Sequence, residues 1–499
     1  MVYPDLREFK ALSAKGNLIP VSKEILADMD TPVSAFLKLG GTPSFLLESV
    51  VGGEKWARYS FLGSDPLKVI QCWGKKVSIQ ETGKKKPVTF ETEDPFAVLQ
   101  KELSAYTPVD IPGLPRFSGG LVGYMGYDMV RFFERVPDKK RPGLDLPDMF
   151  FMLVDTMLIF DSLKQKIKIV SNAHVDGRGS TKTYKEAVEK IDRVTEKLRT
   201  SKIKRRQPAG EKARGRQKEF VSSFSKQQLF EDAVSRSKEY IAAGDIFQVV
   251  LSQRFERRSE VEPLDIYRAL RVTNPSPYMY FLNTGDAQIV GSSPEILVRL
   301  EDRKVVLRPI AGTRKRGATE LEDRSLGEEL KKDPKEIAEH IMLVDLGRND
   351  VGRVAEKGSV QVTELMALER YSHVMHMVSN VEGNLAGGLD AFDVLRACFP
   401  AGTVTGAPKV RAMEIIEEFE PTKRGPYAGA VGYFSYSGNM DTCITIRTLL
   451  IKDDTIYVQA GAGIVADSVP EKEYTETINK AMGMMKAVDI AERGLTSCC

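Results

Sequence analysis

KEIAEHIMLVDLGRND, Lys335 to Asp350, is the segment from which the fold is read. It lies in a predicted helix over Leu321–Leu346, where Glu336 and Glu339, three residues apart, share one face. Strand-type runs precede it at Ala287–Gly291 and Lys304–Pro309 with no helix between them. Two more follow at Thr442–Ile451 and Thr455–Ala460. Helices are predicted over Ala391–Ala397, Lys409–Glu418 and Lys472–Glu492, and upstream a helix at Ser225–Ala243 leads into a strand at Ile246–Phe255. Strands and helices do not alternate as a doubly wound sheet requires, so the chain reads as α+β.

The first part of the chain mixes short strands, SFLLESV (Ser44–Val50) and KVSIQ (Lys76–Gln80), with an amphipathic helix at Thr183–Leu198. Then comes KIKRRQPAGEKARGRQKEF, Lys202 to Phe220, polar and basic and broken by Pro208, Gly210 and Gly215. It divides the chain into residues 1–201, a linker at 202–220, and residues 221–499. It carries no interleaved aromatics for base stacking, so it reads as a solvated connector rather than a nucleic-acid arm. A net charge of +3 over 499 residues points to neither nucleic acid nor a membrane as partner. The most apolar run, Met149–Phe160, contains Asp155 and falls short of the roughly 20 residues that span a bilayer. MVYPDLREFK has no apolar signal region, and Cys72, Cys398, Cys443, Cys498 and Cys499 form neither a metal motif nor a disulfide framework. A soluble cytoplasmic protein is expected.

A second Glu-x-x-Glu pair, Glu473 and Glu476, lies in EKEYTETINKA with Lys480 one turn on. Two such helices facing each other could enclose a cation, and all-oxygen donors favour Mg²⁺ over zinc or copper. Either pair alone is as readily a wet helix face. Glu336 with His340 is a weaker metal reading, because it has no matching second half. GSSPEILVR (Gly291–Arg299) places Glu295 just after Pro294. RPIAGTRKRG (Arg308–Gly317), ACFPAGTVTGAPKVRAMEII (Ala397–Ile416) and QAGAGIVADS (Gln459–Ser468) contain glycine-bearing loops; the last two are of the kind that offers backbone N–H groups to an anion. None is a phosphate-loop or dinucleotide fingerprint. Histidine is scarce, with His174 and His340 apart and His373 and His376 together in SHVMHMVSNVEG.

Taken together, DIFQVVLS, NPSPYM, GSSPE, RPIAGTRKRG, KEIAEHIMLVDLGRND, YSHVMHMVSNVEG, AGTVTGAPKVRAMEII, GPYAGAVGYF, DTCITIRT, QAGAGIVADSVP and EYTETINKA, in this order over Asp245–Ala481, resemble the chorismate-utilising enzymes. LLESV and RYSFLG extend the resemblance to the anthranilate synthase large-subunit branch. The resemblance implies a two-domain fold of antiparallel sheets packed face to face with helices outside, the first domain being tryptophan-regulatory. It implies conversion of chorismate and ammonia to anthranilate and pyruvate through aminodeoxyisochorismate. Glu336, Glu339, Glu473 and Glu476 would hold Mg²⁺, which holds the ring carboxylate. Arg447 and Tyr427 would meet the enolpyruvyl carboxylate, with Gly312, Thr313, Gly463 and Lys480 lining the site. Glu295 would be the general acid, Thr403 a further catalytic residue lining the site, and His376 rather than His373 would serve the elimination. Glu48, Ser49, Pro277, Tyr278 and Met279 would form the pocket for L-tryptophan as inhibitor.

Two positions choose among the sister reactions. Ala311 in PIAGT stands where aminodeoxychorismate synthases carry a nucleophilic lysine. Gln248 stands where isochorismate and salicylate synthases carry a lysine that activates water. Glutamine cannot act as a base, so a ready-made nucleophile is expected. No Gly-x-Cys-x-Gly glutaminase motif is present, which implies a separate glutamine amidotransferase subunit and a hetero-tetramer. The alternative is an aminodeoxyisochorismate synthase that stops before elimination. Gly347 replaces the alanine common in the family.

Overall fold

A computed structural model describes residues 2–49, 58–177, 179–203, 219–370 and 374–495. Most of the linker, residues 204–218, therefore lies outside the described residues, as do Val50 and His373. The chain forms two large antiparallel sheets. The first runs from Val2–Tyr3 through Leu18–Leu26, Lys166–His174, Thr156–Asp161, Tyr59–Ser64 and Ser44–Glu48 to Tyr278–Asn283, Gln288–Ser293, Thr448–Lys452, Thr455–Ile464, Gln248–Arg258 and Val221–Ser222. The second runs from Ile310–Lys315 through Val374–Asn384, Lys304–Leu307, Ile296–Glu301, Met440–Ile444 and Ala430–Ser435 to Gly120–Met125, Met149–Val154, Lys68–Trp73, Lys76–Glu81 and Val88–Glu91.

Alternation along the strands gives each sheet two apolar faces. One face of each meets the other sheet, where Phe45, Phe61, Tyr280 and Leu450 of the first interdigitate with Val122, Phe150, Tyr433 and Cys443 of the second. The outer face of the first sheet is covered by helices that include Ser180–Thr200, Pro263–Thr273 and Pro470–Glu492. Helices including Pro95–Ser104, Pro334–Gly352 and Ala391–Cys398 cover the second. Among the described residues no helix is long and apolar enough to cross a membrane.

The linker divides the sequence but not the sheets. Ser44–Glu48 pairs with Tyr278–Asn283, and Gly120–Met125 pairs with Ala430–Ser435, so each sheet contains strands from both sides of residues 202–220.

Two predicted elements are divided. The helix expected over Leu321–Leu346 is two, Glu320–Lys332 and Pro334–Gly352. Pro334 cannot donate into a preceding turn, and the Asp333 carboxylate caps the second helix by accepting from the Lys335 and Glu336 N–H groups. The strand expected over Thr442–Ile451 is also two, Met440–Ile444 in the second sheet and Thr448–Lys452 in the first. Between them Arg447 adopts φ +50, a left-handed conformation unusual for a residue with a side chain.

Candidate active site

Two of the places where the chain crosses between the sheets lie side by side. Gln288–Ser293 belongs to the first sheet and Ile296–Glu301 to the second, so Glu295 lies in one crossover; Arg447 lies in the other. The crossovers are bonded together. The Ile444 N–H donates to the Glu295 carbonyl at 3.1 Å, the Ser293 hydroxyl to the Ile444 carbonyl at 2.7 Å, and the Ser292 N–H to the Arg447 carbonyl at 3.1 Å. An acid and a cation are thereby held by the framework at the seam of the two sheets.

Glu295 is buried, 8% exposed. Burial pushes its carboxyl up to about 8, against the smaller downward pulls of the Thr403 hydroxyl, the Lys480 ammonium and the Ile310 N–H. It is therefore mainly protonated at neutral pH, as a proton donor must be. Arg447 is partly buried and forms no salt bridge among the described residues. Burial lowers its pKa, and the Tyr427 phenol beside it acts the other way. Tyr427 is 8% exposed, and its hydroxyl occupies the space that a side chain at Gly461 would need.

His376 stands across the strand pair from Thr313. Its Nδ1 lies 3.0 Å from Thr313 Oγ1 and 3.2 Å from the Gly312 carbonyl. A carbonyl only accepts, so that contact puts the ring proton on Nδ1 and the lone pair on Nε2. Burial depresses the ring pKa, helped by the Arg447 charge, and the Gly312 carbonyl raises it. Gly312 has φ +69, and a Cβ there would meet the Glu336 carboxylate at 3.0 Å and Leu330 at 2.9 Å, so only glycine suits the position.

The four glutamates approach from two helices, Pro334–Gly352 and Pro470–Glu492. Glu339 accepts from the Gln248 amide at 3.0 Å, Glu336 from Arg314 at 3.1 Å, and Glu476 pairs with Lys480 at 2.7 Å. Lys480 also donates to the Gly461 carbonyl at 3.1 Å. A Cβ at Gly463 would lie 2.6 Å from the Gln248 amide nitrogen, so glycine here leaves room for that side chain. Burial raises the pKa of Glu339 and of Glu473, and the neighbouring carboxylate, Glu336 or Glu476, adds to it. Lys335 and Lys480 lower both, so the two pairs share one electrostatic neighbourhood. Among the described residues no three such groups already form a closed metal cage. Crowded carboxylates that raise one another, balanced by lysines and an arginine, are nevertheless a donor set suited to a hard divalent cation bound partly through water. The pairing of Glu336 with His340 is not among the arrangements found, because His340 turns away to Ser379.

The sequence reading missed Lys335 and Arg314, although both lie beside or within its motifs, because a charge contact between a strand and a helix, or across two helices, has no sequence period. Of the residues expected to bind tryptophan, Glu48 and Met279 are brought together. Glu48 is buried opposite Met279 in the paired strands and accepts from the Tyr267 hydroxyl at 2.6 Å and from Arg271 at 3.2 and 3.3 Å. Tyr267 and Arg271, one helical turn apart, were also missed. The Ser49 hydroxyl is buried without a partner, and Pro277 leads into the strand that Tyr278 opens. Tyr278 points to the opposite face from Met279, as strand alternation requires; it donates to Asp441 at 2.9 Å and accepts from Arg299 at 3.0 Å.

The family model for chorismate binding enzymes matches residues 46–486. The chain is 49% identical to anthranilate synthase component 1 of Acetivibrio thermocellus, over 98% of this chain and 99% of that relative. It is 52% identical to anthranilate synthase component 1 of Pseudomonas putida, over 97% and 98%. The solved structure of anthranilate synthase component I from Streptococcus pneumoniae matches with a TM-score of 0.75 at 39% identity, over 92% of this chain and 99% of that one. The menaquinone-specific isochorismate synthase from Escherichia coli, 19% identical with a TM-score of 0.67 over 97% and 98%, shares the fold.

Proposed function

The chain belongs to the chorismate-binding enzymes, and from that premise we propose that it converts chorismate and ammonia to anthranilate and pyruvate through aminodeoxyisochorismate, the first step of tryptophan biosynthesis. The observation that carries the choice of reaction is Gln248. Its amide is committed to Glu339, where a water-using relative needs a basic lysine. A site without that base suits a nucleophile that arrives with its own lone pair.

Arg447 and Tyr427 bind the enolpyruvyl carboxylate; the guanidinium has no carboxylate of its own among the described residues and suits a forked contact. Glu336, Glu339, Glu473 and Glu476 hold Mg²⁺, which when bound neutralises the ring carboxylate and fixes the substrate. Glu295, with Thr403 against it, gives its proton to the hydroxyl leaving C4 as ammonia adds at C2. Neutral His376 then takes the proton released when pyruvate leaves and the ring becomes aromatic. Gly312, Thr313, Gly463 and Lys480 shape the cavity. Ammonia comes from glutamine through a separate amidotransferase subunit in a cytoplasmic hetero-tetramer. Tryptophan bound around Glu48, Ser49, Pro277, Tyr278 and Met279 inhibits by favouring an inactive arrangement of the two halves.

The test is fluorescence of anthranilate from the purified chain with chorismate, ammonium and Mg²⁺, with and without tryptophan. Anthranilate formed only with Mg²⁺ and suppressed by tryptophan is the expected result. Consumption of chorismate without anthranilate would favour an enzyme that stops at the amino intermediate, and untouched chorismate would sink the reading.

A further inference from the structure

His340 neighbours Glu339 on the helix Pro334–Gly352, yet its ring is 0% exposed and turned away from the carboxylates. Its Nε2 lies 2.6 Å from the Ser379 hydroxyl, while its Nδ1 is buried with no partner. Burial depresses the ring to about 4, so it is neutral at physiological pH. A buried polar nitrogen left unmet costs on the order of 1–3 kcal/mol. Leu343 and Val344 on the same helix, and Met375 and Met377 on the strand beneath, are buried apolar residues. A leucine would suit packing here better than a half-satisfied imidazole. What histidine adds is one directed bond.

That bond ends on the strand Val374–Asn384, which carries His376 three residues before Ser379. Two of the three strands that pair with it do so irregularly. On one side the register shifts between Ala311 and Thr313. On the other it shifts twice between Val362 and Ala367, with Met366 at φ +53. At a bulge the ladder is locally disrupted and the strand bends, so contacts outside the ladder help fix where its side chains stand. Ser379 is where the irregular edge is tied down, since its hydroxyl also accepts the Met366 N–H at 3.0 Å. We propose that His340 is a positioning residue: its bond to Ser379 locks the strand Val374–Asn384 to the helix carrying Glu336 and Glu339, and so sets where His376 stands against the substrate. The helix and the strand then present the metal-binding carboxylates and the elimination base as one unit. The chemical part of this inference rests on the proposed reaction; the geometric part does not.

The test uses the full chain and two independent readouts. With only four histidines, ring-nitrogen NMR of histidine-labelled protein can follow His376 directly. His340→Leu and Ser379→Ala should both move the His376 ring signals, and His340→Gln, whose amide can donate to or accept from the Ser379 hydroxyl near the position of Nε2, should restore them. With Mg²⁺, ammonium and chorismate, the first two variants should release the amino intermediate and lose about tenfold in anthranilate formation, below the roughly 10²-fold that a 1 Å misplacement of a reacting group can cost. Chorismate consumption should change far less, and His340→Gln should recover most of the loss. If Ser379→Ala and a folded His340→Leu leave the His376 signals in place, or slow addition and elimination equally, the positioning role is wrong. If the unmodified chain makes no anthranilate, the proposed function falls, while the NMR comparison still decides the geometry.

Discussion

Arg424 and Arg447 flank the same tyrosine, and their surroundings are opposite. Arg424 stacks against the Tyr427 ring at 5.5 Å and is saturated: its guanidinium pairs with Glu420, and donates to the Val404 carbonyl and to the Val250 carbonyl at 2.7 Å each. Glu420 in turn accepts the Ser252 N–H and hydroxyl at 2.8 Å each. Arg447 lies on the other crossover in a left-handed conformation with no carboxylate of its own among the described residues. The first arginine ties together the loop of Thr403, the strand of Gln248 and the ring of Tyr427. The second leaves a positive charge incompletely answered. Buried groups that are fully satisfied build the site, and those left unsatisfied mark where a ligand completes it.

The largest effect is expected at Glu295, the buried acid of the same seam. Glu295→Gln keeps the shape and removes the proton, and should cost about 10²- to 10⁴-fold in turnover. The parent's rate should fall as pH rises through about 8, because the acid form is then lost. Folding stability should also fall as pH rises, but over a lower window than activity. A carboxyl raised above its unfolded value holds its proton more tightly in the fold, so folding stability declines from the unfolded pKa near 4.5 up to about 8 and is level beyond. Thermal melts at pH 8 should therefore find the Gln variant at least as stable as the parent. Loss of activity and stability together would place Glu295 with the framework instead.

Next come the two arginines. Arg424→Met strands the buried Glu420 charge and should cost about 3–5 kcal/mol of stability in denaturant unfolding. Arg447→Met should leave stability within about 1 kcal/mol and raise KM for chorismate about 10- to 100-fold, the worth of a charge-assisted hydrogen bond. Equal destabilisation by both would erase the distinction between a framework cation and a waiting one.

Much of the candidate site could be named in the sequence, because its residues sit in short motifs, but their roles there came from the family resemblance. Glu336 with Glu339 and Glu473 with Glu476 follow from helical spacing. Pro334 signals the helix break that a continuous reading of Leu321–Leu346 passed over. The crossover at Arg447 is different: DTCITIRT alternates like one strand, and nothing local shows that its two ends lie in separate sheets. The sharing of both sheets across the linker is likewise a property of pairings hundreds of residues apart, such as Met279 with Glu48.

The smallest effect separates the seam of Glu295 and Arg447 from the Glu48 region proposed to bind tryptophan. Glu48 is buried, and its nearest donor is the Tyr267 hydroxyl at 2.6 Å, with Arg271 beyond it. Tyr267→Phe removes one of these donors and keeps the ring in its apolar cluster. Because Arg271 still faces the carboxylate, the loss should be about 1–2 kcal/mol, toward the low end for a hydrogen bond to a charged group. Turnover without tryptophan should stay near the parent's, since neither Glu295 nor Arg447 touches this pair. Inhibition by tryptophan should weaken, because Glu48 would lose one of the donors that aim it. Titrating tryptophan against the parent and the variant decides the matter. An unchanged inhibition curve would show that Glu48 is held by Arg271 alone, or that tryptophan binds elsewhere, and a fall in uninhibited turnover would mean that the two regions are not independent.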